Sequence, residues 1–528
     1  MSNGIMIVHL HAHLPYVRHP EHKSFLEEDW LYEAMSECYI PLLQMMERLR
    51  DEGIPYRLSF TLSPTLCEML ADPLLRDRYR RRLETLVELG EREEARTASD
   101  PELHRAASFH RRHFEDILAY YDSRGGDLIG VFRSLFESGH LEIATCAATH
   151  AFLPFVRERA AARGQIATAV RNFEKHFGRR PRGMWLPECA YAEGLDELLA
   201  SEGIEYTFLD THGLLFAEPC PGAGVWGPIE SSEGVKFLGR DIESSRQVWS
   251  AREGYPGDPS YREFYRDVGW DADEDYIRPY LHPGAGRHNL GFKYHRITGD
   301  VDLSAKQPYD PARALFTARE HAGNFHFNRA HQFRYLREAL GRTPVVHAPY
   351  DAELFGHWWF EGPWFLEEFI RLAALHEREF RLGSALDAIE ECGAERCEPS
   401  PSSWGDKGYY EVWLNESNQW MYPHQHEAER RAVEAVRRHG DDPRARPLLR
   451  TMLRQLLLAQ SSDWAFIATT GTTVPYAVRR FREHVRAVLE LAEALDRGGF
   501  DIPLAAGFEE KHPIFPELEI EDFREERP

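Results

Sequence analysis

The sequence predicts an α/β protein built on a parallel sheet, with added helical parts. Strand-like apolar runs recur over about 380 residues, and helical segments separate several of them, as parallel strands require. A long stretch near the start has helical spacing and no strand signal, so it is an excursion from the sheet rather than part of it. Past about residue 400 the strand signals cease and helical periodicity takes over. A barrel and a doubly wound sheet both satisfy these observations.

The first strand is Ile5 to Leu14, where apolar residues alternate with His9, His11 and His13 at a period of two. A helix follows from about Glu27 to Arg50, and YRLSFTLS at 56–63 is the second strand. From about 71 to 138, segments such as RDRYRRRLETLVEL and HRRHFEDILAYY read as amphipathic helices, a lid or small subdomain inserted in the main fold. Strand-like runs then return at LEIATCA (141–147), GMWLPE (183–188), YTFLD (206–210), VKFLG (235–239) and TPVVHAP (343–349). Helical segments at 158–176, 194–202 and 309–341 lie between them, and 243–300, rich in Gly, Pro, Tyr and Asp, reads as a long loop region. Residues 423–442 and 444–498 read as helices, followed by a proline-containing tail with acidic patches at 502–528. The domains expected are therefore 1–70 with 139–402, an insert at 71–138, and a C-terminal helical domain at 403–528.

With 528 residues, 43% of them hydrophobic and 28% charged, the chain can bury a large core. A formal net charge of −23 disfavours nucleic acid and anionic membranes, both of which reward clustered Lys and Arg, and suits a neutral substrate. No signal peptide and no run of 18 uncharged apolar residues is seen, so neither export nor a membrane partner is expected. The seven cysteines are odd in number, scattered and without a CxxC pair; Cys392 and Cys397 are the closest two. A reducing cytoplasm is the expected location.

Several strand-like runs end in groups capable of catalysis. In a parallel barrel the carboxyl ends of the strands converge on one cleft. Glu188, after WLP, and Asp351, after VVHAPY, can then face each other although far apart in sequence. Two carboxylates beside Trp358, Trp359 and Trp364 suit glycosidic bond cleavage: one attacks the anomeric carbon, the other protonates the leaving oxygen and later deprotonates the acceptor. Taken alone, each has a plainer reading as a loop carboxylate or helix cap. Glu353, nearest to Asp351 in sequence, is the competing second carboxylate. The histidines at 9, 11 and 13 share one strand face. They can be read as metal ligands, as partners of substrate hydroxyls or an active-site carboxylate, or as packing; no Asp or Cys partner stands at metal-ligand spacing.

HLPY (13–16), GHLEIATCAATHAFLP (139–154), WLPECAY (185–191), APYDAELFGHWWFEGP (348–363) and SSDWAF (461–466) resemble, in order, the five sequence regions of glycoside hydrolase family 57. Among its members the 1,4-α-glucan branching enzymes and their amylase-like relatives are the most similar. The resemblance implies an incomplete (β/α)7 barrel, an inserted helical domain and a C-terminal helical domain, with no metal or organic cofactor. It implies that Glu188 is the nucleophile and Asp351 the general acid/base of a retaining double displacement. His13 and His150 are implied to touch sugar hydroxyls and Asp463 to shape that subsite. Trp270, Trp404 and Trp413 resemble tryptophans that hold glucan chains; His11 and Trp358 are further expected substrate contacts. For Trp270, Trp404 and Trp413 a purely structural role competes.

The implied substrate is an α-1,4-glucan (amylose, glycogen or maltooligosaccharides), acted on by a monomer or small homo-oligomer. Attack by water on the glycosyl ester gives an amylase; attack by a glucose 6-hydroxyl gives an α-1,6 branch. Acceptor-side aromatics favour transfer. A counter-argument lies in VWGPIESSEGVKFLGRD (225–241), whose short turn at 230–234 lacks the tyrosine-tipped lid of efficient branching members, so considerable hydrolysis is expected. The alternatives are a mainly hydrolytic α-glucanase, a metal-dependent polysaccharide deacetylase and a non-catalytic glucan-binding protein.

Overall fold

A computed structural model describes residues 3–250, 252–498 and 502–524. Seven parallel strands carry the architecture: β1 (Ile5–Ala12), β2 (Leu58–Leu62), β3 (Leu141–Cys146), β4 (Met184–Trp185), β5 (Tyr206–Leu209), β6 (Lys236–Gly239) and β7 (Val345–Asp351). Every residue of β1, β2 and β3 is buried, as befits strands covered on both faces. Hydrogen-bonded pairing runs β4-β3-β2-β1-β7, and β5 pairs with β6. The two sets meet at single pairs, Gly183 with Tyr206 and Arg240 with His347, so the ring closes through two thin seams. That is a (β/α)7 barrel with an incomplete wall. Gly183 is required at one seam, because a Cβ there would lie 2.1 Å from the Tyr206 ring.

The helical parts are α1 (Pro73–Thr97) and α2 (Pro101–Ser123), which pack on each other in the excursion after β2. The barrel helices α3 (Arg159–Phe177) and α4 (Pro311–Leu340) both end at a glycine in the left-handed conformation, Gly178 and Gly341. In the C-terminal unit, α5 (Met421–His439), α6 (Arg446–Ala459), α7 (Ser462–Thr470) and α8 (Val474–Asp496) pack together, with Leu448, Met452, Leu456, Val488 and Leu491 buried between them.

The helix after β1 is interrupted by a π turn at Met35–Tyr39. The turn aims Glu37 and Tyr39 at the segment after β7. Glu37 pairs with Arg262 at 2.9 Å and His357 at 2.7 Å, and Tyr39 donates a hydrogen bond to Glu353. The 243–300 stretch is irregular apart from short helical turns.

One expectation fails here. The turn at 231–235 joins a short strand, Ile229–Glu230, to the start of β6 in an antiparallel pair. Because β6 runs from Lys236 at the base to Gly239 at the mouth, this turn lies at the amino ends of the strands, opposite the carboxylates. It is no lid, and its shortness says nothing about water entering the site.

Candidate active site

Rings from four strands meet inside the barrel: His9 lies 5.1 Å from Trp185, 4.4 Å from Phe208 and 5.7 Å from His347. This packed layer forms the floor of the site, and burial pushes His9, His11 and His347 far below the usual histidine range, so they are neutral. His9 bonds Thr61 at 2.7 Å, inside the barrel core. His11 stacks on Trp185 at 4.7 Å and its Nε2 lies 3.0 Å from His150 Nε2. His13, just past the strand, stacks on His150 at 3.8 Å. His9 thus goes to Thr61, while His11 and His13 both meet His150. Among the described residues, none of the three belongs to a group of three or more His, Cys, Asp or Glu whose ligand atoms lie within 4.8 Å of one another.

Glu188 stands above this floor in a strained backbone, φ 62° and ψ 22°. Its neighbour Cys189 (φ 48°) and His150 (φ 56°) are also left-handed, and such residues cost about 1–3 kcal/mol each and persist only where the surroundings hold them. The strain turns the Glu188 carboxylate into the cleft, where Trp404 Nε1 donates to Oε2 at 2.8 Å and Ser462 Oγ to Oε1 at 3.2 Å. Burial pushes Glu188 up to about 7; the Trp404 bond opposes this, and the nearby Asp351 charge adds to it.

Asp351 ends β7, in register with His11 of β1. Burial and the adjacent Glu353 charge push it up to about 8, against the pull of Arg240. Glu353 itself is raised to about 7 by burial, partly offset by the Tyr39 hydroxyl. It is therefore a buried supporting group that keeps Asp351 hard to ionise. Asp463 differs from these three. Burial favours its neutral form, but His13, 3.1 Å away, outweighs burial and holds the carboxyl below its ordinary range.

The structure thus gathers Glu188, Asp351, His11, His13, His150, Trp404 and Asp463 around one cleft. Three further tryptophans expected to bind glucan differ in exposure. Trp413 is 1% exposed and stacked on Phe152 at 4.9 Å; it joins the C-terminal unit to the barrel and offers no face to a sugar. Trp270, 51% exposed, bonds Asn289 at 2.9 Å, and Trp358, 55% exposed, stacks on Phe264 at 4.5 Å. Both are open aromatic platforms without a bond to either carboxylate. Trp359 is buried core.

Sequence reasoning missed Ser462, Arg240, Tyr39 and Trp185. Arg240 was findable as the polar residue ending β6; Ser462 stands beside Asp463 in SSDWAF. Nothing in the sequence marked Tyr39, because its role depends on the π turn.

Residues 7–400 match the family model "Glycosyl hydrolase family 57", and 424–523 match "1,4-alpha-glucan branching enzyme, C-terminal". The 1,4-alpha-glucan branching enzyme of Thermococcus kodakarensis is 34% identical over 99% of this chain and 79% of its own. The structure described as the novel alpha-amylase AmyC from Thermotoga maritima is 43% identical, with a TM-score of 0.93, over 99% of this chain and 100% of that one. The GH57-type branching enzyme from Pyrococcus horikoshii is 32% identical, with a TM-score of 0.88, over 100% of this chain and 98% of that one.

Proposed function

This chain belongs to glycosyl hydrolase family 57, and we propose that it is a 1,4-α-glucan branching enzyme with appreciable hydrolytic side activity. One observation carries the branching reading: similarity to branching enzymes extends from end to end, through a C-terminal unit matched at 424–523. The hydrolytic side is favoured by the 43% identity to an amylase over that protein's full length.

The chemistry follows from the unequal surroundings of two carboxylates. Glu188 accepts two hydrogen bonds that favour its anion, whereas Asp351 is held neutral by burial and Glu353. Glu188 attacks the anomeric carbon, the C1–O4 bond breaks, and Asp351 gives its proton to O4. The glucan is then an ester of Glu188. A 6-hydroxyl of a second chain loses its proton to Asp351 and attacks C1, expelling Glu188 and closing an α-1,6 bond. Water in place of that hydroxyl gives hydrolysis. The neutral His11–His150 pair and the His13–Asp463 pair edge the same cleft and are the groups we assign to the sugar hydroxyls.

No helix of the described residues is long and apolar enough to cross a membrane, and all seven cysteines are free, which supports a cytoplasmic setting. The test is incubation with amylose, counting α-1,6 linkages against new reducing ends. Branches in excess of free ends are expected; reducing ends without branches would make it an amylase.

A further inference from the structure

Asp29, His282 and His288 bring three ligand atoms within 4.8 Å of one another, outside the set of residues assigned to catalysis. Asp29 lies on the helix after β1, and both histidines lie in the irregular stretch before α4. Asp29 is 4% exposed and His288 7%. His282 Nε2 lies 2.8 Å from Asp29 Oδ2. His288 Nδ1 lies 3.0 Å from the Gly286 carbonyl oxygen and donates to it, so its Nε2 carries the lone pair. That Nε2 and Asp29 Oδ1 are both buried without a partner. A ring nitrogen fixed by a backbone carbonyl, with its other nitrogen free and buried, is the usual posture of a metal-bound histidine. An unpaired buried polar atom is destabilising, and one cation would satisfy both.

We propose that Asp29, His282 and His288 form a structural site for a first-row divalent cation of the Zn²⁺ type. Two imidazoles and one carboxylate are a donor set that such ions accept, with water completing the shell. Bonds of about 2.0–2.2 Å need ligand atoms roughly 3.4 Å apart, so the 2.8 Å contact of His282 with Asp29 opens slightly, His288 closes in, and the His282 Nε2 proton is released as the ion binds. Arg82, 3.5 Å from Asp29 Oδ2, opposes the ion and must turn aside or stay on the outer oxygen. The ion would clamp the 282–288 segment onto the helix after β1. That segment also supports the Trp270 platform, since Arg287 donates to the Trp270 carbonyl at 2.8 Å.

The test uses the full chain stripped with chelator and titrated with Zn²⁺, and with Co²⁺ as a spectroscopic probe. One equivalent should bind, with visible Co²⁺ absorption of a nitrogen–oxygen site and a rise in Tm. His282→Ala and His288→Ala should each weaken binding by more than about tenfold. His331→Ala, at an exposed position of α4, should not. Absence of stoichiometric binding by the unaltered chain would overturn the proposal, whatever the variants do. So would binding that survives both substitutions, because the ion would then sit elsewhere.

Discussion

Trp404→Phe isolates the hydrogen bond that favours the Glu188 anion. Phenylalanine keeps an aromatic ring near Trp185, whose ring lies 4.9 Å away, but removes the N–H that donates at 2.8 Å to Oε2. A hydrogen bond to a charged group contributes about 1.5–3 kcal/mol, and one pKa unit corresponds to about 1.36 kcal/mol. Loss of the donor should therefore raise Glu188 by about one to two units from its present value of about 7. The protonated acid accepts the same N–H more weakly, which places the effect toward the lower end. At pH 7 the ionised fraction would fall from about one half to between one tenth and one hundredth, so kcat/KM should drop roughly five- to fiftyfold. The assay is a pH profile of amylose turnover, with circular dichroism to confirm the fold. The acidic limb should move up by at least about half a unit, and high pH should recover part of the loss. An unmoved limb with only a raised KM would refute the argument and leave Trp404 as a sugar platform.

Glu188→Gln and Asp351→Asn should each remove nearly all turnover while circular dichroism stays native; for Asp351→Asn the loss should reach about 10²- to 10⁴-fold. Asp351→Asn should also change stability with pH. A carboxyl raised in the folded state to about 8 contributes stability below its unfolded value near 4, and that contribution is lost as pH rises through about 8. Asparagine has no charge to bury, so the variant's Tm should exceed that of the parent at pH 9, by an energy on the order of a few kcal/mol, and lose that advantage at pH 5. Equal Tm differences at the two pH values would contradict the buried-charge account. Gly356→Ala should destabilise by at least about 3 kcal/mol, since φ is +117° and a Cβ would lie 1.8 Å from the Glu37 carbonyl oxygen. A denaturation midpoint within error of the parent would show that the Asp351 loop is looser than described.

The sequence by itself determined the elements and singled out the two carboxylates we propose as the catalytic pair. Apolar-rich runs at β1, β2, β3, β5, β6 and β7 stand out because strands buried on both faces are mostly apolar. Glu188 and Asp351 are legible because each sits where a strand's carboxyl end presents polar groups, inside unusual motifs. Strand direction was not legible in VWGPIESSEGVKFLGRD, so a basal turn passed for a lid. Tertiary structure alone decided which aromatics serve the site. The family resemblance gives Trp404 and Trp413 the same promise, yet one bonds a carboxylate and the other is sealed against Phe152. It also decided the ionisation pattern. A carboxylate's pKa is set by burial and by neighbours distant in sequence, such as Trp404 for Glu188, and no local stretch of sequence contains them.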